Sequence, residues 1–415
     1  MLYVLLAGLL LAAGQPAQGG TTLDEAIREG LANNAGLLAE KSNIAIADAQ
    51  ILAARLRPNP TVTVGGDHLD VLGTTFNSAN GGGPGEIASG IEFTHETGGK
   101  RERRVEVAQA ARSVAEFEYL NAARSLVLDI ENAFTDALLA RDTLELAREN
   151  FGFFSQIVTA DEARVRAGDV AEVELIRARI AALQYQAAVR QSELRYRNAL
   201  VRLQTLMGRK QADAAFEIAG TLDRNATPAG LDELQKTALS SRPDLNALRR
   251  DAQRAGADVR LQMAQARPDV TFGTEYRRQQ INASANALTL TLGFALPVFD
   301  RNQGGIARAH EEQRQAELRV RALETSIAGE VEEAYAQFTT ARSLLDTVSA
   351  AMVDQARQVR DITEYSYKRG DASMLSLLDA QRAFNDTMQA HIEARAEYAR
   401  SLDQLDFVTG KGAIQ

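Results

Sequence analysis

The chain has 415 residues, a formal net charge of −9, and no cysteine. Without cysteine there are no disulfides, thiolate metal sites, cysteine nucleophiles or lipid attached at an N-terminal cysteine. An acidic chain with no basic blocks argues against nucleic acid as a partner; 24% charged residues and a mean hydropathy of −0.23 argue against an ordinary helical membrane protein.

In chain order, Leu2 to Ala13 is an apolar run of signal-peptide length, followed by the small residues Ala17 and Gly19. Residues 1–19 are therefore expected to be a cleaved export signal; the run is shorter than the roughly 20 residues a membrane-spanning helix needs. Leu23 to Leu56 reads as helix. Thr22 and Glu25 have capping-box spacing, Asn33-Asn34 interrupts the pattern, and Arg57-Pro58-Asn59-Pro60 ends it. Residues 60–67 then alternate, with Val62 and Val64 against Thr61, Thr63 and Gly65, which predicts a two-sided strand. A loop rich in Gly, Ser, Thr and Asn covers 73–85, and a second alternating strand covers 87–95.

Gly98-Gly99-Lys100-Arg101 closes that strand and opens a very long helix. From Lys100 to Val165 there is no proline and one glycine, Gly152. A helix of that extent spans about 100 Å. The return segment carries Ile180, Ala187, Leu194 and Val201 at intervals of seven, the spacing of a left-handed coiled-coil seam. The helical hairpin thus covers 100–207, and 209–230 reads as a linker.

A second copy follows. Leu231-Asp232-Glu233 repeats Leu23-Asp24-Glu25, and Arg267-Pro268 repeats Arg57-Pro58. Strands are predicted at 270–277 and 288–296, around a polar turn from Gln279 to Asn286. A second helical hairpin covers 302–409, with apolar residues from Leu323 through Val348 to Met352 at threes and fours. Asp371 is expected to open the last helix, and 411–415 form a tail. Gly168 and Gly370 lie 202 positions apart (370 − 168), as do Leu203 and Leu405, and Gly208 and Gly410. The two repeats, 20–208 and 231–410, form one duplicated unit of helix, strand hairpin and long helical hairpin.

Four strands of about nine residues match the 9–11 that a transmembrane barrel strand needs, but they cannot close, and hydrocarbon does not tolerate open edges. Three copies supply twelve strands, an even number, and cyclic symmetry closes them. The expected fold is mainly α with a transmembrane β-barrel portion: a trimeric twelve-stranded barrel continued by an α-helical tunnel.

The duplicated order, with Arg57-Pro58-Asn59-Pro60, Leu296-Pro297-Val298-Phe299-Asp300, Lys368-Arg369-Gly370-Asp371 and Leu377-Leu378-Asp379-Ala380, resembles the TolC-like outer-membrane efflux factors. Thr97-Gly98-Gly99-Lys100-Arg101 with Arg104 is similar to the branch serving heavy-metal pumps of the resistance-nodulation-division type. The resemblance implies a homotrimer in the outer membrane of a Gram-negative bacterium, reaching into the periplasm. Its partners would be a periplasmic membrane-fusion adaptor, an inner-membrane pump of that type and outer-membrane lipid. It would be the exit duct of a tripartite efflux system for heavy-metal cations. The alternative reading is the same channel serving drug efflux or type I secretion instead. A periplasmic coiled-coil adaptor is the reading of another class, and the two strand hairpins oppose it.

The resemblance also assigns sites. Arg166, Gly168, Asp169, Lys368, Gly370 and Asp371 are expected at periplasmic tips where an adaptor docks; as plain hairpin turns they would need Gly as C-cap and Asp as N-cap. Glu174 and Asp379 are expected to ring the tunnel entrance, with Ser376 where relatives carry a further Asp. Gly98, Gly99, Lys100, Arg101 and Pro297 are expected as barrel-to-helix joints. His68, His95, His310 and His391 show no helical ligand spacing and Met is scarce, so no metal site is expected; with no Gly-rich phosphate loop and no nucleophile–base constellation, neither a cofactor nor catalysis is expected.

Overall fold

The computed structural model describes residues 20–69, 71–73, 85–280 and 285–411. The predicted signal at 1–19, most of the 73–85 loop, the centre of the 279–286 turn and the end of the tail lie outside them. The chain forms two compact units. One comprises Met1–Leu38, Ala122–Arg242 and Ile327–Gln415; the other comprises Ala39–Asn121 and Pro243–Ser326.

The second unit holds the sheet. Strands β1 (Thr61–Asp67), β2 (Gly85–His95), β3 (Val270–Gln280) and β4 (Ala285–Phe294) pair antiparallel in the order β1-β2-β3-β4. Directly paired residues point to the same side, so the register sorts the side chains. Val62 pairs with Ile91, Phe93 with Phe272, Phe272 with Leu292, and Val270 with Phe294. With Val64, Ile87, Tyr276, Leu288 and Leu290 they make one apolar face, and it is exposed: Val64 by 77% and Leu290 by 78%. The opposite face carries Thr61, Thr63, Asp67, Glu86, Glu92, Glu275, Arg277 and Gln279. Such a sheet, apolar toward its surroundings on one side and polar on the other, suits a bilayer wall around water.

β3 runs beyond 277, and β4 begins at Ala285 and stops at Phe294, where the polarity pattern predicts 288–296. Arg278 pairs with Asn286 and Gln279 with Ala285, so the ladder continues into the polar segment. Backbone pairing, not side-chain polarity, sets where a ladder ends. Leu296 instead accepts from Val298 N at 2.8 Å in a tight turn.

The helices are α1 (Leu23–Asn33), α2 (Ala35–Arg55), α3 (Lys100–Ala167), α4 (Glu172–Leu206), α5 (Leu231–Ser241), α6 (Pro243–Gln265), α7 (Gln303–Thr347), α8 (Ala350–Arg369) and α9 (Met374–Val408). Thr22 and Glu25 close a full capping box on α1. Among the described residues no helix is long and apolar enough to cross a membrane.

α3 is continuous for 68 residues, but its repeat partner is not. The periodicity through Val348 predicts one helix; the structure divides it into α7 and α8 at Val348-Ser349. Ser349 is extended (φ −69°, ψ 162°) and its carbonyl accepts from Met352 and Val353. The Val348 carbonyl is bonded instead by His391 Nδ1 of α9, at 2.6 Å. A break leaves a carbonyl that needs a donor, and here a side chain 43 residues away supplies it.

α3 and α9 run antiparallel within the first unit and meet through a ladder of polar rungs. Arg124 donates to the Phe407 carbonyl at 2.9 Å, Arg400 to Asp136 at 2.7 Å, and Arg395 lies 3.8 Å from Asp142. Asn150 then joins Asn385 and Gln381, each at 2.7 Å. The 209–230 segment packs too: Phe216, Ile218 and Leu222 are buried, Thr21 bridges Ile218, and Asp223 bonds Arg395 at 3.0 Å.

Candidate functional site

Both hairpin tips are built the same way. Gly168 and Gly370 each take φ +84°, a conformation open to glycine and strained for other residues. Gly168 N bonds the Val165 carbonyl and Asp169 N the Arg164 carbonyl; Gly370 N bonds Tyr367 and Asp371 N bonds Ser366. These are two Schellman closures with the same bonds at corresponding positions. Asp169 and Asp371 supply backbone N–H groups to the preceding helices and do not cap the following ones. α4 starts at Glu172 after Ala171, without a side-chain cap. α9 starts at Met374, where the Ser373 hydroxyl accepts from Ser376 N at 3.2 Å. The expectation that Asp371 opens the last helix is thereby corrected: the Schellman turn uses the residue after glycine, and the helix begins three residues later.

The tip side chains are exposed and engaged with their own helices. Arg166 donates to the Glu162 carbonyl, Lys368 pairs with Glu364, and Arg369 lies 3.7 Å from Asp371. Among the described residues no hydrogen bond or ion pair joins Glu174 to Asp379. Asp379 is solvated, 4.0 Å from Arg382, whereas Glu174 faces Tyr367. Ser376 is bound into the start of α9 through Ser373.

Sequence reasoning missed the residues that hold the two tips together. The Tyr367 hydroxyl donates to Asp161 Oδ2 at 2.7 Å, and both side chains are buried. Arg164 completes the group, 3.6 Å from Asp161, with its guanidinium over the Tyr367 ring and a bond to the Tyr367 carbonyl. Burial and the Asp161 bond push the Tyr367 phenol well above its usual range. Around this group Phe154, Ile157, Ala178, Ala181, Met374 and Leu377 form a dry core from α3, α4 and α9. The signal lies in the repeat itself: Tyr367 stands where the first copy has Val165, a departure from an otherwise shared turn.

In the second unit, Lys100, expected as a joint residue, and the neighbouring Thr97 converge on Asp269. Lys100 Nζ lies 2.7 Å from Asp269 Oδ1 with 11% of its side chain exposed, and Thr97 N donates to the same oxygen at 3.0 Å. Gly98 has φ +71°, and a Cβ there would stand 2.7 Å from Arg267 Cδ. Gly99 is also left-handed, at φ +73°. Arg104 pairs with Glu96 and reaches the Leu56 carbonyl. Arg101 pairs with Glu102, and Pro297 accepts from Arg301 at 3.1 Å. Among the described residues no set of three or more His, Asp or Glu side chains gathers to hold a metal ion.

The sequence profile of the outer membrane efflux proteins matches residues 26–209 and 234–411. The chain is 23% identical over 395 residues to the cobalt-zinc-cadmium resistance protein CzcC of Cupriavidus metallidurans, covering 95% of this chain and 91% of that protein. It is 23% identical to the pyoverdine export outer membrane protein OpmQ of Pseudomonas aeruginosa, over 91% of this chain and 83% of OpmQ. Among solved structures it is similar to CusC, with a TM-score of 0.77 and 19% identity over 97% of this chain and 96% of CusC.

Proposed function

We propose that this chain, which belongs to the outer membrane efflux protein family, assembles as a trimer into the exit duct for heavy-metal cations. The cations would be delivered by an inner-membrane resistance-nodulation-division pump through a periplasmic adaptor. The observation that carries the reading is the two-faced sheet with two unpaired edges. β1 and β4 each have one neighbour, and an apolar face that must sit in lipid cannot leave its edges open. Three copies close twelve strands.

Two features support cations as cargo. The polar face bears Asp67, Glu86, Glu92 and Glu275 against Arg277 alone, so a lumen lined by it attracts cations. CzcC carries metal resistance in its name. The tips built by Gly168 and Gly370 would present Arg166, Asp169, Lys368 and Asp371 to the adaptor. Glu174 and Asp379 would face the tunnel entrance, with Ser376 in place of one further acid. The joints at Gly98, Gly99, Lys100, Arg101 and Pro297 would pass strain between barrel and tunnel. Transport energy comes from the pump, and this chain contributes the passage and its gate.

The test is growth of a deletion strain on zinc, cobalt, cadmium, nickel, copper and silver, beside dyes, detergents, antibiotics and siderophores. Sensitivity to metals alone, restored by the wild-type gene, is the expected result. A defect confined to siderophore or drug export would keep the channel and replace its cargo, the reading that likeness to OpmQ favours.

A further inference from the structure

We infer that Glu131 of α3 and Asp403 of α9 form a proton-binding pair that makes the α3/α9 contact sensitive to pH. The other polar rungs between these helices are complementary: guanidinium to carbonyl at Arg124 and Phe407, guanidinium to carboxylate at Arg400 and Asp136 and at Arg395 and Asp142, amide to amide at Asn150 and Asn385. Between the first two of these rungs, the antiparallel register brings two acids to the same level, Glu131 on α3 and Asp403 on α9. Asp403 is 9% exposed, and its Oδ2 has no hydrogen-bond partner among the described residues. A buried carboxylate with an unpartnered oxygen and a second acid at its level is more stable holding a proton than ionised.

The surroundings do not neutralise the pair. From the 209–230 segment Arg224 faces both acids, and on α9 Asp406 adds a further negative charge. Lys411 lies 3.9 Å from Asp406. On α3 Arg124 is committed to the Phe407 carbonyl and stacks on its ring at 4.2 Å. α1 packs on α3 where Gly30 meets Ile130, but its Glu29 is bonded to Arg209. At the end of α5 Arg242 pairs with Glu330. Among the described residues one cation, Arg224, thus serves the buried Asp403 and the half-buried Glu131. Burial first, then Asp403, raises Glu131 to about 8, and burial raises Asp403 to about 6.

The sign follows. The folded chain holds protons that the unfolded chain releases at the ordinary carboxyl values, 4.5 for Glu131 and 3.8 for Asp403. The stabilisation at this rung is complete below those values and is lost as pH rises through about 6 and about 8. Above that, repulsion separates α3 from α9, and Arg224 is drawn inward. Because Asp223 and the Ala226 carbonyl tie the same segment to Arg395 and Tyr398 of α9, the whole segment moves with Arg224.

The test uses the full chain in detergent. The protonated-carboxyl C=O stretch is followed by infrared spectroscopy, and amide exchange, corrected for intrinsic rate, is followed in 126–136 and 400–411. In the wild type we expect a carboxyl band that disappears with a midpoint near pH 8, with faster exchange in both segments above it. Glu131→Gln, a near-isostere fixed in the neutral form, should lose that step and the accompanying exchange change. Arg224→Gln should move the midpoint upward, because the one cation favouring ionisation is gone; a merely structural role for Arg224 would not shift a midpoint. An unchanged carboxyl titration in Glu131→Gln, or pH-independent exchange in the wild type, would overturn the inference.

Discussion

Tyr367 and Asp161 lie 206 residues apart in sequence and are joined by one 2.7 Å bond near the turns of the two helical hairpins. Through it the second hairpin is fastened to the first at the level of their turns. Asp161 is 1% exposed and its other oxygen has Arg164 at 3.6 Å, so the phenol is its principal hydrogen-bond donor. Removing the hydroxyl leaves a buried carboxylate short of a partner, which costs about 2 kcal/mol. Tyr367→Phe should therefore loosen the tips and raise the open probability and mean conductance of single channels in planar bilayers. Asp161→Asn, which can still accept the phenol proton, should have the smaller effect. Unchanged gating in both variants would show that the bond does not hold the tips closed.

The two glycines at φ +84° predict a matched pair of effects. A Cβ at Gly168 meets nothing within 4 Å, so Gly168→Ala tests conformation alone and should cost about 1 kcal/mol. Gly168→Asn should recover part of this, because asparagine tolerates the left-handed region. The measurement is amide exchange at Gly168 and Asp169, whose N–H groups close the turn. Equal protection in the Ala and Asn variants would contradict the argument.

At the joint, Asp269 accepts from both Lys100 and Thr97 through one oxygen. Lys100→Met keeps the aliphatic stem but leaves this half-buried carboxylate with the Thr97 N–H. The loss should be about 2 kcal/mol, larger than for an exposed pair such as Arg148 and Glu193. The measurement is the temperature at which the assembled species dissociates on semi-native gels, with Arg148→Met as the exposed-pair control. Equal shifts in both variants would remove the joint's special role.

Lumen charge makes the fourth prediction. Glu92 is on the polar face, opposite Thr61 and Gly273 in the register, and has no salt-bridge partner among the described residues. Glu92→Lys should lower the cation-to-anion permeability ratio severalfold, read as a reversal-potential shift in a salt gradient. Glu162→Lys, on the helical hairpin, should leave the ratio nearer the wild-type value. An unchanged reversal potential for Glu92→Lys would place this face away from the conducting path.

Much of this architecture could be read without coordinates, because its signals are local. The capping box at Thr22 and Glu25, the stop at Pro58, the alternation of Val62, Val64, Leu288, Leu290 and Leu292, and the glycines that close four helices each depend on a few neighbouring residues. The duplication was equally legible, since it asks only whether the chain resembles itself 202 positions on. The Asp371 misreading shows the limit even here: Gly-Asp marks a turn, but whether the aspartate serves the helix before it or the one after depends on the path of the backbone.

The repeated order of helices and strands and the two-sided character of the sheet are written in the order of the residues. Which residues act together is set by packing in three dimensions: Asp161 with Tyr367, Lys100 with Asp269, Glu131 with Asp403, and His391 with the carbonyl freed where α7 ends. The break at Val348-Ser349 has neither proline nor glycine to announce it. The physical reason is common to all of them. Periodicity and caps are set within a turn or two of backbone, whereas a side-chain pair across two long helices depends on their relative register, and a shift of one residue would give every long-range partner to a neighbour.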